Sequence, residues 1–229
     1  MTADLPVLGP PDNVDRPAQW PLVSHKVLGV GAVSDYVDDT VATPDGEQMH
    51  RQYLLHPGAV AVIALDDHDR VVVVRQYRHP VGFQLIEPPA GLLDADDESF
   101  LAAAQRELAE EAMLAADDWR LLIDMFTSPG CNSEAIRFFL ARGLRRVPRP
   151  DGFVVEHEEL HMQVGLVPLA DLVEGIYAGQ IQSPSLVAGV LALEAARHSG
   201  RLDDLRPADL PWPARDIRQH LLDEIAKLA

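Results

Sequence analysis

The sequence predicts an α/β fold in which a mixed sheet lies between layers of helix, preceded by a small N-terminal antiparallel β-region. Three observations carry that prediction. Two nearly unbroken apolar runs, 59–65 and 71–77, flank the polar turn Asp66-Asp67-His68-Asp69 and have the length and β-branched content of buried strands. One window among the strand-like segments, 97–112, repeats its apolar residues at helical spacing. Further helical windows at 169–178, 185–198 and 214–228 close the chain.

Taken in order, Pro6, Pro10, Pro11 and Pro17 among acidic residues mark 1–20 as a flexible or loosely docked arm. Residues 21–56 form the N-terminal β-region, with three extended segments between Leu22 and Leu55 and the turn Thr43-Pro44-Asp45-Gly46 joining the last two. The runs 59–65 and 71–77 read as a hairpin. Gln84 to Glu87 is a short strand, and 120–127 and 135–142 are two more. After Leu160, the alternation of Met162, Val164 and Leu166 has the period of a half-buried strand. The main domain is expected over 57–200 and a helical extension over 201–229. In that extension Ile217, Leu221, Ile225 and Leu228 form an apolar stripe, to be covered by the chain's own sheet layer or by a dimer partner.

Bulk properties narrow the function. A hydrophobic content of 47% lets 229 residues bury a sizeable core. The formal charge of -17 argues against nucleic acid and anionic membrane as partners, and suits cations or metal-bound small molecules. Cys131 stands alone, so no internal disulfide forms; it reads as a small packed residue in a chain suited to a reducing cytoplasm. The first residues show neither a basic nor an apolar leader region, and the longest nearly apolar stretch, 186–193, is too short to span a bilayer.

Two motifs are discounted. Glu156-His157-Glu158-Glu159-Leu160-His161 contains H-E-x-x-H, which binds zinc only on a helix, where both histidines share one face. The alternation that follows points to a strand, which would separate the two histidines by roughly 13 Å at about 3.3 Å per residue. Positions 164 and 167, both Val, also lack the Gly and His of the longer zinc motif. Gly29-Val30-Gly31 has neither the third glycine nor the following helix of a dinucleotide loop.

The chemistry concentrates in 91–114. Asp96 or Asp97 is placed to cap the helix, and Phe100, Leu101, Ala104, Leu108 and Ala112 form its apolar stripe. At about 100° per residue, Glu107 and Glu111 are neighbours at the edge of that stripe and Glu110 lies farther round toward solvent. Arg106 can pair with Glu110, as on any solvated Glu-rich face. Glu107, however, repels both Glu110 and Glu111 unless a cation sits among them, at a cost of roughly 0.2–0.5 kcal/mol each. Clustered carboxylates with few nitrogen or sulfur ligands select a hard cation, Mg2+ or Mn2+, which commonly grips phosphate oxygens.

This segment resembles the Nudix box through Gly91, Glu98, Arg106, Glu107, Leu108, Glu110, Glu111 and Leu114. It departs from the pattern twice. Six residues instead of five separate Gly91 from Glu98, in a loop that tolerates insertion, and Met113 replaces a Gly. A methionine there is accommodated if the helix runs one residue further or if the side chain packs into the core. The stretches Arg75-Gln76-Tyr77-Arg78, Glu87-Pro88-Pro89-Ala90-Gly91 and Ser128-Pro129-Gly130 through Glu134 are similar to ADP-ribose pyrophosphatases of that family.

The resemblance implies a Nudix α/β/α sandwich, a homodimer built through the N-terminal β-region, and Mg2+-dependent hydrolysis of ADP-ribose to AMP and ribose 5-phosphate. It implies metal ligation by Glu107, Glu111 and the Ala90 carbonyl, with Arg106 and Glu98 orienting the cluster and with Arg106 and Glu110 counted among the catalytic residues. A water-activating carboxylate is expected in the acidic loop, among Glu156, Glu158 and Glu159, with Glu159 preferred to Glu158. Arg78, Glu87 and Glu134 are expected to contact phosphate and sugar. Two other readings remain open: hydrolysis of another nucleoside diphosphate sugar, or a Nudix-fold sensor that binds ADP-ribose without turnover.

Overall fold

The structure, a computed structural model, describes residues 5–10, 12–93, 98–150 and 162–228. Its internal contacts divide the chain into two compact units, one of Met1–Leu28, Val37–Gln52 and Trp212–Ala229 and one of Gly29–Tyr36 and Tyr53–Pro211.

The N-terminal strands β1 (Leu22–Gly29), β2 (Asp35–Ala42) and β3 (Gln48–Leu55) form a three-stranded sheet in the order β1-β2-β3. Thr43-Pro44-Asp45-Gly46 turns as the sequence predicts, with the Gly46 N–H donating to the Thr43 carbonyl at 2.9 Å and Gly46 at φ 89°. In the first unit Val37 is fully buried, and His25 Nδ1 lies 2.6 Å from Asp39 Oδ1. The last helix, α4 (Pro213–Leu228), belongs to this unit. Its Ile217 lines a cleft of about 390 Å³ with Pro17, Gln19, Asp216 and His220, whereas Leu228 is exposed.

The second unit is layered. Strands β4 (Ala59–Ala64), β7 (Ala90–Leu92), β8 (Leu114–Phe126), β9 (Ala135–Arg146) and β11 (Arg206–Pro207) form a mixed sheet in the order β11-β8-β9-β4-β7. Only the β4–β9 pair is parallel. A second sheet, β10-β5-β6, contains β5 (Arg70–Arg78), β6 (Phe83–Glu87) and β10 (Gln163–Pro168). Alternation along β4 explains the layers: Ala59, Ala61 and Ile63 pack with α2 (Leu169–Tyr177) and α3 (Pro184–His198), while Val60, Val62 and Ala64 pack with α1 (Phe100–Ala112). A strand buried on both faces needs a continuous apolar run, which is what 59–65 supplies.

The structure departs from several sequence expectations. Segments 59–65 and 71–77 are strands joined by the expected turn, but they form no extended hairpin: β4 and β5 lie in different sheets and are paired at the Leu65–Val71 bridge. The turn residues fix the reversal, while partner choice falls to β9 and β7, which flank β4 on both edges. β8 and β9 extend beyond 120–127 and 135–142 because β8 starts directly after Met113. β10 forms, yet Val164 and Leu166 are exposed, since β10 is an edge strand of its sheet. The three-residue β7 carries no signal long enough to be read as a strand.

Candidate active site

The site is assembled from the β6–β7 connection and one face of α1. Pro88 and Pro89 interrupt strand pairing after Glu87, because proline donates no hydrogen bond. The Val62 N–H donates to the Pro89 carbonyl at 2.8 Å, and the Leu93 N–H to the Gly58 carbonyl at 3.1 Å. Hydrogen-bonded pairs alternate with non-bonded ones in an antiparallel ladder, so the intervening Ala61–Ala90 pair is non-bonded and the amide edge of Ala90 turns away from β4. Its N–H donates to Glu111 Oε2 at 3.0 Å. The Ala90 carbonyl projects from the same edge of the strand.

Helix α1 begins at Phe100, capped by Ser99, whose hydroxyl accepts the Ala102 N–H at 3.1 Å. The expected caps, Asp96 and Asp97, lie outside the described residues; Ser99 serves because its side chain reaches the third N–H beyond it. Burial of Ala103, Ala104, Leu108 and Ala112 turns Glu107 and Glu111 inward, where they are 9% and 8% exposed. Gly91 makes room for them. A Cβ at Gly91 would fall on the Glu107 carboxylate, so β7 and α1 approach this closely only with glycine there.

Arg106 binds three carboxylates. Its Nε and Nη2 donate to the two oxygens of Glu98, each at 3.0 Å, and its Nη1 donates to Glu107 at 2.6 Å and Glu110 at 3.0 Å. The Glu98 hydrogen bonds, together with the charge of Glu107, raise the guanidinium pKa against the opposing effect of burial. Glu110 is thereby drawn in, its side chain only 15% exposed, instead of standing toward solvent. Part of the repulsion around Glu107 is thus relieved by the protein's own cation. Glu111 in turn accepts the Ala90 N–H.

No three His, Cys, Asp or Glu side chains among the described residues are grouped to hold a metal ion. The available donors are Glu107, Glu111 and the Ala90 carbonyl, all hard oxygens, a set whose chemistry suits a hard divalent cation such as Mg2+ or Mn2+. The acidic loop with Glu156, His157, Glu158, Glu159 and His161 lies outside the described residues.

Met113 follows neither expected route. The helix ends at Ala112, and Met113 itself takes the left-handed conformation, φ 54° and ψ 43°, and is 37% exposed. Its N–H donates to the Ala109 carbonyl at 3.1 Å, a C-terminal cap usually made by glycine. Two further bonds tie this end of the helix to the chain after β9: the Val147 N–H donates to the Met113 carbonyl at 3.0 Å, and Arg149 Nε to the Glu110 carbonyl at 2.9 Å.

The other expected residues fall into two groups. Arg78 donates to Glu87 at 2.7 Å, and Gln76 donates to the same carboxylate at 2.6 Å, across the β5–β6 pair. Glu134, in the β8–β9 connection, accepts the Thr127 hydroxyl at 2.6 Å and lies 3.7 Å from His56 Nε2. Sequence reasoning singled out neither His56 nor Thr127 and gave Gln76 no role. Strand alternation could have turned Gln76 toward Glu87, but nothing local connects residue 56 with residue 134.

The chain matches the NUDIX domain over residues 55–185. It is 40% identical over 190 residues to a Mycobacterium tuberculosis protein described as an ADP-ribose pyrophosphatase, covering 83% of this chain and 89% of that protein. An Escherichia coli protein described as a GDP-mannose pyrophosphatase is 31% identical over 152 residues, 62% of this chain and 78% of that one. Among solved structures, the crystal structure of an ADP compounds hydrolase superposes with a TM-score of 0.66 at 19% identity, over 82% of this chain and 100% of that one, a likeness of fold. The domain match spans β4 to the start of α3, and with it Gly91, Arg106, Glu107 and Glu111 in their observed arrangement; this chain belongs to the NUDIX family.

Proposed function

We propose that the protein hydrolyses ADP-ribose to AMP and ribose 5-phosphate with Mg2+ or Mn2+ as the resident cation. The observation that carries this reading is the buried Glu107–Glu111 pair set against Ala90, in a chain 40% identical to a described ADP-ribose pyrophosphatase. Glu107, Glu111 and the Ala90 carbonyl would hold the cation. When bound, it supplies positive charge to the diphosphate oxygens and lowers the pKa of the attacking water. Arg106, bridging Glu98, Glu107 and Glu110, keeps the Glu107 carboxylate oriented. Glu159, or Glu158 beside it, accepts the water proton as the new P–O bond forms and the P–O bond to the leaving phosphate breaks. Arg78 steadies phosphate or ribose while Glu87 and Glu134 accept sugar hydroxyls. The protein acts as a homodimer in the cytoplasm; its free Cys131, exposed rather than packed as the sequence suggested, is in keeping with a reducing compartment.

The test is AMP release from ADP-ribose by the native protein, Glu107→Gln and Glu111→Gln at limiting Mg2+. Each substitution keeps shape but removes a charge, so turnover and Mg2+ affinity should both collapse. Near-native activity in both variants would overturn the metal assignment. Running GDP-mannose alongside ranks the alternative substrate suggested by the Escherichia coli relative. Binding of ADP-ribose without any AMP release would instead identify a sensor.

A further inference from the structure

His56 joins β3 to β4, far in sequence from every residue of the box. Its side chain is 10% exposed. Nδ1 accepts the Gly58 N–H at 3.0 Å, which leaves the proton of the neutral ring on Nε2. Nε2 faces Glu134 Oε1 at 3.7 Å, longer than a hydrogen bond, so the neutral ring acts on the carboxylate through the dipole of its Nε2–H. The other oxygen of Glu134 accepts the Thr127 hydroxyl at 2.6 Å, and the Glu134 N–H donates to Asn132 Oδ1 at 3.0 Å.

The backbones on the two sides are interlocked. The Leu54 N–H donates to the Cys131 carbonyl at 2.9 Å, the Ser133 N–H to the Leu54 carbonyl at 3.0 Å, and the His56 N–H to Ser133 Oγ at 2.8 Å. Gly58, at φ 97°, gives the turn that presents its N–H to the ring. The ring therefore cannot rotate without losing the Gly58 bond, and its Nε2–H stays aimed at Glu134. Glu134 remains 23% exposed on its side chain and so is open to a ligand.

Resting on the reading of Glu134 as a sugar-side contact of ADP-ribose, we infer that His56 is a positioning residue for Glu134. With Thr127 on one oxygen and His56 Nε2–H facing the other, the carboxylate is fixed in the rotamer in which its remaining lone pairs accept ribose hydroxyls. His56 thereby governs substrate binding and not the chemical step.

The two ring nitrogens have separate mimics. Asn at position 56 supplies an acceptor near the place of Nδ1 and no donor toward Glu134; Gln supplies a donor near the place of Nε2. KM and kcat for ADP-ribose are measured for His56→Asn, His56→Gln, Glu134→Gln and the His56→Asn/Glu134→Gln double variant, with the melting temperature of each. His56→Asn removes the Nε2–H dipole that faces the carboxylate and should raise KM about tenfold, with kcat changed less than about threefold. His56→Gln should restore KM to within about threefold of native, and the double variant should be no worse than Glu134→Gln alone. A native KM in His56→Asn, equal damage from Asn and Gln, or multiplicative effects in the double variant would overturn the inference while leaving the ADP-ribose reading standing. A native KM in Glu134→Gln would remove Glu134 from the sugar site, and the inference with it. Should the native protein not turn ADP-ribose over, the Kd for ADP-ribose by calorimetry is read in place of KM, with the same outcomes.

Discussion

Met113 shows how one residue bears a backbone cost without disturbing its neighbours. The left-handed conformation costs a non-glycine residue roughly 1–2 kcal/mol, and the exposed side chain recovers little of that by burial. What the position contributes is geometric: it stops α1 at Ala112 and lets β8 start at Leu114. Met113→Gly should therefore stabilise the protein by about 1 kcal/mol, net of the entropy glycine adds to the unfolded chain, and shift its denaturant midpoint upward. Neither Glu107 nor Glu111 depends on the Met113 side chain, so kcat should change less than about tenfold. A lower midpoint would mean that the thioether makes contacts outweighing the strain. Gly91 is the opposite case, where glycine is required by proximity to Glu107 rather than by an unusual φ.

At the scale of elements, the turn between β4 and β5 has its own electrostatic lock. Asp66 Oδ1 accepts the N–H groups of His68 and Arg70, both at 2.9 Å, and Oδ2 pairs with the Arg70 guanidinium at 2.7 Å. Burial pushes the Asp66 carboxyl up, but the hydrogen bonds from Arg70 and His68 outweigh it and hold the pKa below the ordinary 3.8. A carboxylate with a depressed folded-state pKa stabilises the fold above its unfolded value and loses that contribution as pH falls through the folded one. Asp66→Asn should lower the melting temperature at pH 7, and the gap from native should close as pH drops below 3.8. A gap independent of pH would assign the effect to hydrogen-bond geometry alone. This turn was legible in its Asp-rich sequence. The separation of β4 and β5 into two sheets was not, because it depends on β9, more than sixty residues downstream.

At the scale of the whole molecule, the two ends of the chain belong to one unit: α4 clusters with Met1–Leu28 and Val37–Gln52. The apolar stripe of α4 is half-buried at Ile217, Leu221 and Ile225. Deletion from residue 213 should therefore lower the melting temperature or the solubility, and a second copy covering the remaining stripe would add a loss of dimer in sedimentation. Full solubility, an unchanged melting temperature and an unchanged oligomeric state would show the helix to be dispensable. No helix among the described residues is long and apolar enough to cross a membrane.

Local sequence alone determined the helix that carries the acids, its inward pair Glu107 and Glu111, the Arg106–Glu110 pairing and the buried character of β4 and β5. Each follows from periodicity or spacing within a few residues, the range over which side-chain pattern and backbone geometry are coupled. Tertiary structure alone decided the rest: the guanidinium of Arg106 shared among three carboxylates, the Ala90 amide turned onto Glu111, the sheet to which each strand belongs, and His56 set opposite Glu134. These depend on which strand edge faces which helix and on chain segments that meet only after folding, so no window along the chain contains both partners.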